Sequence, residues 1–245
     1  MAEVTSIERA VLAAGDPAAS TPDADVLAGL LANRFSCRAF QPDPVPDAVI
    51  ERMLGIAQMS PSWCNTQPWQ VTVLSGVATD RLRGALLADL DSDEAKVPDI
   101  PFPAAYTGPR QERRREVAWQ LYDSAGVTKG DRVAAARQAR ENQRLFGAPH
   151  VLLIHSSREL GTYGAVDCGI YLGALMLAAQ ALGLGMIPQA ALADHSVLLR
   201  RVLGTPEDQI LVAGASFGYA DEDSPVNQFR SRRAPLTEAV TRISE

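Results

Sequence analysis

Ser60-Pro61-Ser62-Trp63-Cys64-Asn65-Thr66-Gln67-Pro68-Trp69 runs directly into Gln70-Val71-Thr72-Val73-Leu74. The first stretch is small, cyclic or amide-bearing, the composition of a tight polar turn. The second is short and β-branched, hence a strand. Upstream, Pro46-Asp47 opens a helix with Val49, Ile50, Met53, Leu54 and Ala57 at helical spacing. Working outward, Asp25 caps a helix through about Ala32 that ends at Asn33. Downstream, helices are predicted over 79–90, 110–124 and 130–145, a buried strand over Val151 to His155, and a long apolar helix over 166–182. Asp194 or Ser196 caps a short helix to Leu203, and Gln209 to Ala215 is the last strand. Short strands separated by longer helices make an α/β or α+β layer architecture.

Composition removes several classes. Of 245 residues, 47% are hydrophobic and 21% charged, enough to bury a real core. The net charge of -6 and pI near 5.2 argue against nucleic acid, which wants a broad basic face. Cys37, Cys64 and Cys168 are far apart and show no metal or disulfide spacing, and His150, His155 and His195 form no ligand pattern. No metal is therefore expected. Met1 to Ala24 has no basic segment followed by an apolar run, so a reduced, cytoplasmic setting is expected. No charge lies between Asp167 and Asp194, but Gly169, Gly173, Gln180, Gly183, Gly185 and Pro188 interrupt that run. It is read as a core helix with a dimer interface, not a membrane span.

Residues 1–24, rich in Ala, Thr, Asp and Pro, read as an arm, with a short helix over Ser6 to Ala14 broken by Gly15-Asp16-Pro17 and by Thr21-Pro22-Asp23. Residues 25–245 read as a single domain. Within it, Lys96 to Pro109 carries Pro98, Pro101, Pro103 and Pro109 with Phe102 and Tyr106, a proline-rich loop of the kind that is functional or mobile inside a compact domain.

Two basic segments stand out in this acidic chain, Arg34-Phe35-Ser36-Cys37-Arg38 and Arg230-Ser231-Arg232-Arg233. Guanidinium forks match phosphate oxygens in a bidentate way, so the pair asks for a phosphate monoester. With the 60–69 turn, they suggest a flavin mononucleotide (FMN) site assembled from distant parts of the chain. Arg34 and Arg38, four residues apart, equally fit a solvated face. No GxGxxG follows a strand, so a nicotinamide nucleotide is a transient visitor, and no GxSxG elbow supports a hydrolase.

Taken together, the motifs resemble the nitroreductase family of FMN-dependent flavoproteins, from about residue 25 to the end. They are Arg34, Ser36, Arg38 and Phe40; Ser60, Pro61, Ser62, Asn65, Thr66, Gln67, Pro68 and Trp69; Gly183 to Ala191; and Leu211 to Ala220 followed by Asn227, Arg230, Arg233 and Pro235. The resemblance implies an α+β fold, a three-layer α/β/α sandwich, in a homodimer with FMN at the interface. Residues 95–146 would be a helical, proline-rich lid over the flavin, as in nitroaromatic-reducing members.

By the same resemblance Arg34, Phe35, Ser36 and Arg38 bind the phosphate, ribityl chain and pyrimidine side. Pro61, Ser62, Trp63, Asn65 and Gln67 edge the ring, and Trp63-Cys64 stands where small residues are commoner. Pro188, Gln189 and Ala190 lie near N5, although Gly183 and Gly185 are equally explained by helix termination. Gly218, Arg230 and Arg233 close the phosphate site, with Arg232 in solvent. Phe102, Tyr106, Tyr122 and Trp63 would stack on a flat aromatic substrate; Arg113 to Arg115 read as an exposed helix start. The implied activity is NAD(P)H-driven, ping-pong reduction of nitroaromatics or quinones, with no catalytic side chain because the flavin N5 carries the hydride. A dehalogenase, an ene-type reductase or a non-catalytic flavin-binding protein are the alternatives.

Overall fold

The computed structural model describes residues 21–244. Its first helix, α1 (Pro22–Asn33), starts earlier than the Asp25 cap expected from sequence. Thr21 takes the cap, its Oγ1 accepting from the Ala24 N–H at 3.3 Å, and Pro22 opens the first turn instead of breaking it. Helix α1 thus begins inside the stretch 1–24 expected to be an arm; the rest of that stretch, with the short helix expected over 6–14, lies outside the described residues.

Strands β1 (Gln70–Ser75), β2 (His150–Ser157), β3 (Gly185–Gln189) and β4 (Gln209–Gly218) form one antiparallel sheet in the order β1-β2-β4-β3. Successive side chains of a strand point to opposite faces. Leu152 and Ile154 thus join one core with Met53, Tyr171, Leu175, Met186 and Phe217, while Val151 and Leu153 join another with Leu82, Leu86, Leu192, Leu199 and Leu211. Helices α2 (Asp47–Ala57) and α6 (Gly161–Ala181) supply the first core, and α3 (Val77–Leu90) and α7 (Ser196–Leu203) the second. These are the three layers of an α/β/α sandwich. With both faces covered, β2 reads as a continuous apolar run.

Strand β3 was hidden in the sequence behind Gly185 and Pro188. It lies at the sheet edge, where a proline without an N–H is tolerated. Helix α7 starts at Ser196, and neither expected residue caps it: the Ser196 hydroxyl donates backwards to the Ala193 carbonyl at 2.7 Å, and residues 190–195 form a 3-10 turn.

Residues 95–146, expected from the resemblance to form a lid, carry α4 (Gly108–Ser124) and α5 (Arg132–Arg140). Helix α5 stops short of the predicted 145 because the chain turns, with Leu145 and Phe146 in the left-handed region at φ 57° and 52°. Helix α6 is long and apolar enough to cross a membrane by length and composition. Its Tyr171, Leu175, Ala178 and Ala179 are instead buried in the first core.

Candidate functional site

The first arginine segment is laid across the outer edge of β3. Ser36 bridges Met186 in parallel, and the Cys37 N–H donates to the Met186 carbonyl at 3.2 Å. Phe40 then pairs with Ala220, and the Asp221 N–H donates to the Ala39 carbonyl at 3.0 Å. Gly185 makes this approach possible: a Cβ there would stand 2.9 Å from Cys37 Sγ and 3.0 Å from Cys37 Cβ. Its role is close packing and not helix termination.

Asn227 locks the second basic segment to the first. Its Oδ1 accepts from the Arg38 N–H at 2.7 Å, while its Nδ2 donates to the carbonyls of Ala39 and Asp221, each at 2.8 Å. Beyond it, the Arg230 guanidinium stacks on Phe35 at 4.0 Å, and that of Arg38 lies 5.4 Å from the Phe229 ring centroid. Arg34, Phe35, Ser36, Arg38, Arg230 and Arg233 thus come together from opposite ends of the chain.

Arg34 faces Arg233. Burial, and then the charge of Arg233, lower the pKa of Arg34 from its ordinary value; burial does the same to Arg38. The Arg233 guanidinium donates only within its own segment, to the Ser231 carbonyl at 3.0 Å and hydroxyl at 2.9 Å and to the Arg232 carbonyl. Among the described residues no carboxylate pairs with Arg34 or Arg233 in an ion pair. A half-buried Arg34 beside an exposed Arg233, neither paired with a carboxylate among the described residues, fits an anion with several oxygens, as a phosphate monoester has.

The 60–69 turn is held by its own side chains. Ser62 Oγ accepts from the Gln67 N–H at 2.9 Å, Gln67 Nε2 donates to Asn65 Oδ1 at 3.2 Å, and the buried Asp167 on α6 accepts the Trp63 N–H at 3.1 Å. Cys64, Asn65 and Gln67 have φ of 50°, 56° and 47°, outside the range favoured by residues other than glycine. Such conformations cost about 1–3 kcal/mol each and concentrate at functional sites. Trp69 belongs to the core, stacked on Tyr171 at 4.9 Å, whereas Trp63 is 54% exposed and edge-on to Tyr163 at 4.2 Å. Pro61, Asn65 and Gln67 are also exposed, with the Gln67 amide bonded to both Asn65 and Gln58.

Residues 188–190 close the edge of β3. The Gln189 side chain is buried, donating from Nε2 to the Asn142 carbonyl at 2.8 Å and accepting from the Ser216 hydroxyl. Only the backbone of Gln189 can therefore meet a ligand. Gly218 has a packing reason, since a Cβ there would stand 2.7 Å from Pro149 Cδ.

The aromatics of residues 95–146 make their ring contacts with one another or with cations of the same stretch. Tyr106 lies under Arg114 at 5.2 Å, Tyr122 is edge-on to Trp119 at 5.9 Å, and Phe102 is partly exposed. Arg232, expected in solvent, is exposed but pairs with Glu116 of α4, and Arg113 pairs with Glu238. The structural roles of Asp167, Asn227 and Gly185 were not read from sequence. Their work is done through backbone contacts between distant segments, which no local pattern marks.

Comparison with known proteins agrees with this geometry. Residues 31–219 match the model of the Nitroreductase family. The chain is 38% identical over 216 residues to Nitroreductase NfnB of Mycolicibacterium smegmatis, covering 88% of this chain and 91% of that one. It is 33% identical over 226 residues to the chloronitrobenzene nitroreductase of Comamonas testosteroni, covering 91% of this chain and 100% of that one. The crystal structure of the FMN-dependent nitroreductase NfnB from Mycobacterium smegmatis in complex with NADPH superposes with a TM-score of 0.85 at 37% identity, over 91% of this chain and 99% of that one. The matched stretch starts within α1, takes in the first arginine segment and all four strands, and ends just past β4, so on sequence and fold alike this chain belongs to the nitroreductase family.

Proposed function

We propose that this protein is an FMN-dependent NAD(P)H oxidoreductase that reduces nitroaromatic compounds, with quinones as further acceptors. The observation that carries the reading is the pair Arg34 and Arg233, drawn from opposite ends of the chain into electrostatic reach of one another, with neither in an ion pair among the described residues. A phosphate monoester offsets that repulsion with its roughly two negative charges at neutral pH. Bound FMN supplies the hydride-accepting and hydride-donating chemistry.

The chain's own residues bind and orient. Arg34, Ser36 and Arg233 hold the phosphate end, with Phe35 and Arg230 stacked beside it. Arg38 brings positive charge to the pyrimidine side. Ser62, Asn65 and Gln67 edge the ring from a turn whose shape Asp167 fixes. The backbone of Pro188, Gln189 and Ala190 lines the far edge. Trp63, Phe102, Tyr106 and Tyr122 offer the flat surfaces on which an aromatic acceptor stacks. NADPH and acceptor use the same place in turn, and water supplies the protons.

Tyr163, Val166 and Ile170 leave an apolar flank of α6 exposed in a single chain. A contiguous apolar flank of this kind supports a homodimer, with the site completed between two copies. The thiols of Cys37, Cys64 and Cys168 are all free, which fits the cytoplasmic setting we infer.

The test is an anaerobic absorbance spectrum of the purified protein before and after NADPH, and again after a nitroaromatic. Flavin bands that bleach and then return are expected. Protein that takes up no FMN would overturn the reading, and flavin that stays oxidised with both NADH and NADPH would leave only a binding role.

A further inference from the structure

The two roots of the lid are stitched together inside the protein, and the stitch ends on β3. At the opening root, Lys96 Nζ sits 2.9 Å from Asp89 Oδ2 at the end of α3. The same oxygen receives the Nδ1–H of His195 at 2.5 Å. On the other side of the ring, His195 Nε2 meets Gln143 Nε2 at 3.1 Å, with the amide donating. Gln143 belongs to the closing root. Its neighbour Asn142 offers the carbonyl that accepts from Gln189 Nε2 at 2.8 Å, and Gln189 is held from the other end by the Ser216 hydroxyl. Gln143, Gln189, His195 and Ser216 are all at least nine-tenths buried.

The edge geometry says what this chain of groups controls. Met186 turns its carbonyl outward to Cys37, and the alternation of an antiparallel ladder turns Pro188 outward as well. Gln189 faces inward in the same register, so fixing its side chain fixes the rotation of the strand end and of the Gln189–Ala190 peptide. Buried polar chains with every member paired are rigid and hold one geometry.

We infer that Gln143, His195 and Gln189 are positioning residues, which couple the lid roots to the end of β3 and so set the backbone that meets the cofactor. This rests on the flavin reading above, but its first test does not.

Hydrogen exchange is measured on FMN-free protein and on its Gln143→Leu variant, which removes the Gln143–His195 bond without touching β3. The peptide covering 185–191 exchanges about ten-fold faster in the variant, while the β1 peptide is unchanged. Equal exchange at 185–191 in both proteins overturns the proposal, and so does faster exchange everywhere, which is global loosening only.

A second arm uses FMN-loaded protein. Displacements of about 1 Å can cost up to about 100-fold in rate. Reduction by NADPH therefore slows by about ten-fold or more in Gln143→Leu and in Gln189→Leu, and the double variant is no slower than the worse single one. Additive losses, or rates within about two-fold of the parent, overturn it. A parent protein that binds no FMN defeats the functional reading and leaves the exchange result standing.

Discussion

Replacing Asn227 by Ala separates the two arginine segments without touching an arginine. The side chain makes three hydrogen bonds, at 2.7, 2.8 and 2.8 Å, to the Arg38 N–H and to the carbonyls of Ala39 and Asp221, and is 2% exposed. At about 1 kcal/mol per bond, the variant loses about 3 kcal/mol. A chain of this size melts about 2–4 °C lower for each kcal/mol, so the midpoint falls by about 6–12 °C. The FMN dissociation constant rises by about ten-fold or more, because the Arg38 segment loses its anchor to the tail that carries Arg230. The assay is a thermal melt of the apoprotein beside a fluorescence titration with FMN. Asn227→Asp sharpens it: the acceptor toward Arg38 is kept, but both donors become an acceptor facing two carbonyls. That variant is expected to be at least as unstable as Ala. A midpoint within about 2 °C of the parent in Asn227→Ala, with unchanged FMN affinity, would refute the reasoning.

Arg34→Gln weakens FMN by about 10–100-fold, the worth of charge-assisted bonds to phosphate, yet leaves riboflavin affinity unchanged; equal losses for the two ligands would remove Arg34 from the phosphate. Gly185→Ala puts a methyl against the rigid Cβ atoms of Cys37 and Ala220 and costs about 1–3 kcal/mol in urea unfolding, so a neutral result would mean that the segment is not packed as described. His150 Nε2 accepts the Val45 N–H at 2.8 Å, and burial lowers the ring's pKa below its ordinary value. A base depressed in the folded state stabilises above its unfolded pKa of about 6.5 and loses that contribution as pH falls below it. Unfolding free energy should therefore drop from pH 7.5 toward pH 5, with a shallower slope in His150→Gln. Asp89 and Asp99 act only lower still: burial raises both, but Lys96 and His195 for the first, and the Leu211 N–H and Arg200 for the second, hold them below the usual range.

Side-chain chemistry was the legible part. Arginine pairs, the amide-rich turn and amphipathic helices each carry a local signature, so α2, β1, β2 and the convergence of the two basic segments could be read from sequence. What stayed hidden acts between distant segments through backbone. Strand β3 has a glycine and a proline in five residues, and its pairing with β4 and with Ser36 is set by tertiary context. Asn227 lies in a short 3-10 turn after Ser224-Pro225, where an asparagine is ordinary. Gln189 looked like a residue for the ligand because its neighbours do, yet Ser216 and Asn142 draw its side chain inward.

These contacts divide the molecule by strength. The frame that gathers the Arg38 segment, the tail and the end of β3 is held by hydrogen bonds of the buried Asn227 and Gln189 side chains, costly to break because those amides are shut off from water. The α4 stretch is held otherwise. Helix α4 has no buried residue, and the ion pairs that tie it to the tail, Arg113 with Glu238 and Arg232 with Glu116, are largely exposed. Exposed pairs contribute about 0–1 kcal/mol each. Lifting α4 from the tail therefore costs far less than disturbing the arginine frame or the buried lid roots. Under the function proposed above, an aromatic acceptor would then enter beside Tyr106 and Tyr122 without loosening the arginine frame. Raising salt should weaken the α4 contacts first and leave the FMN-binding frame folded.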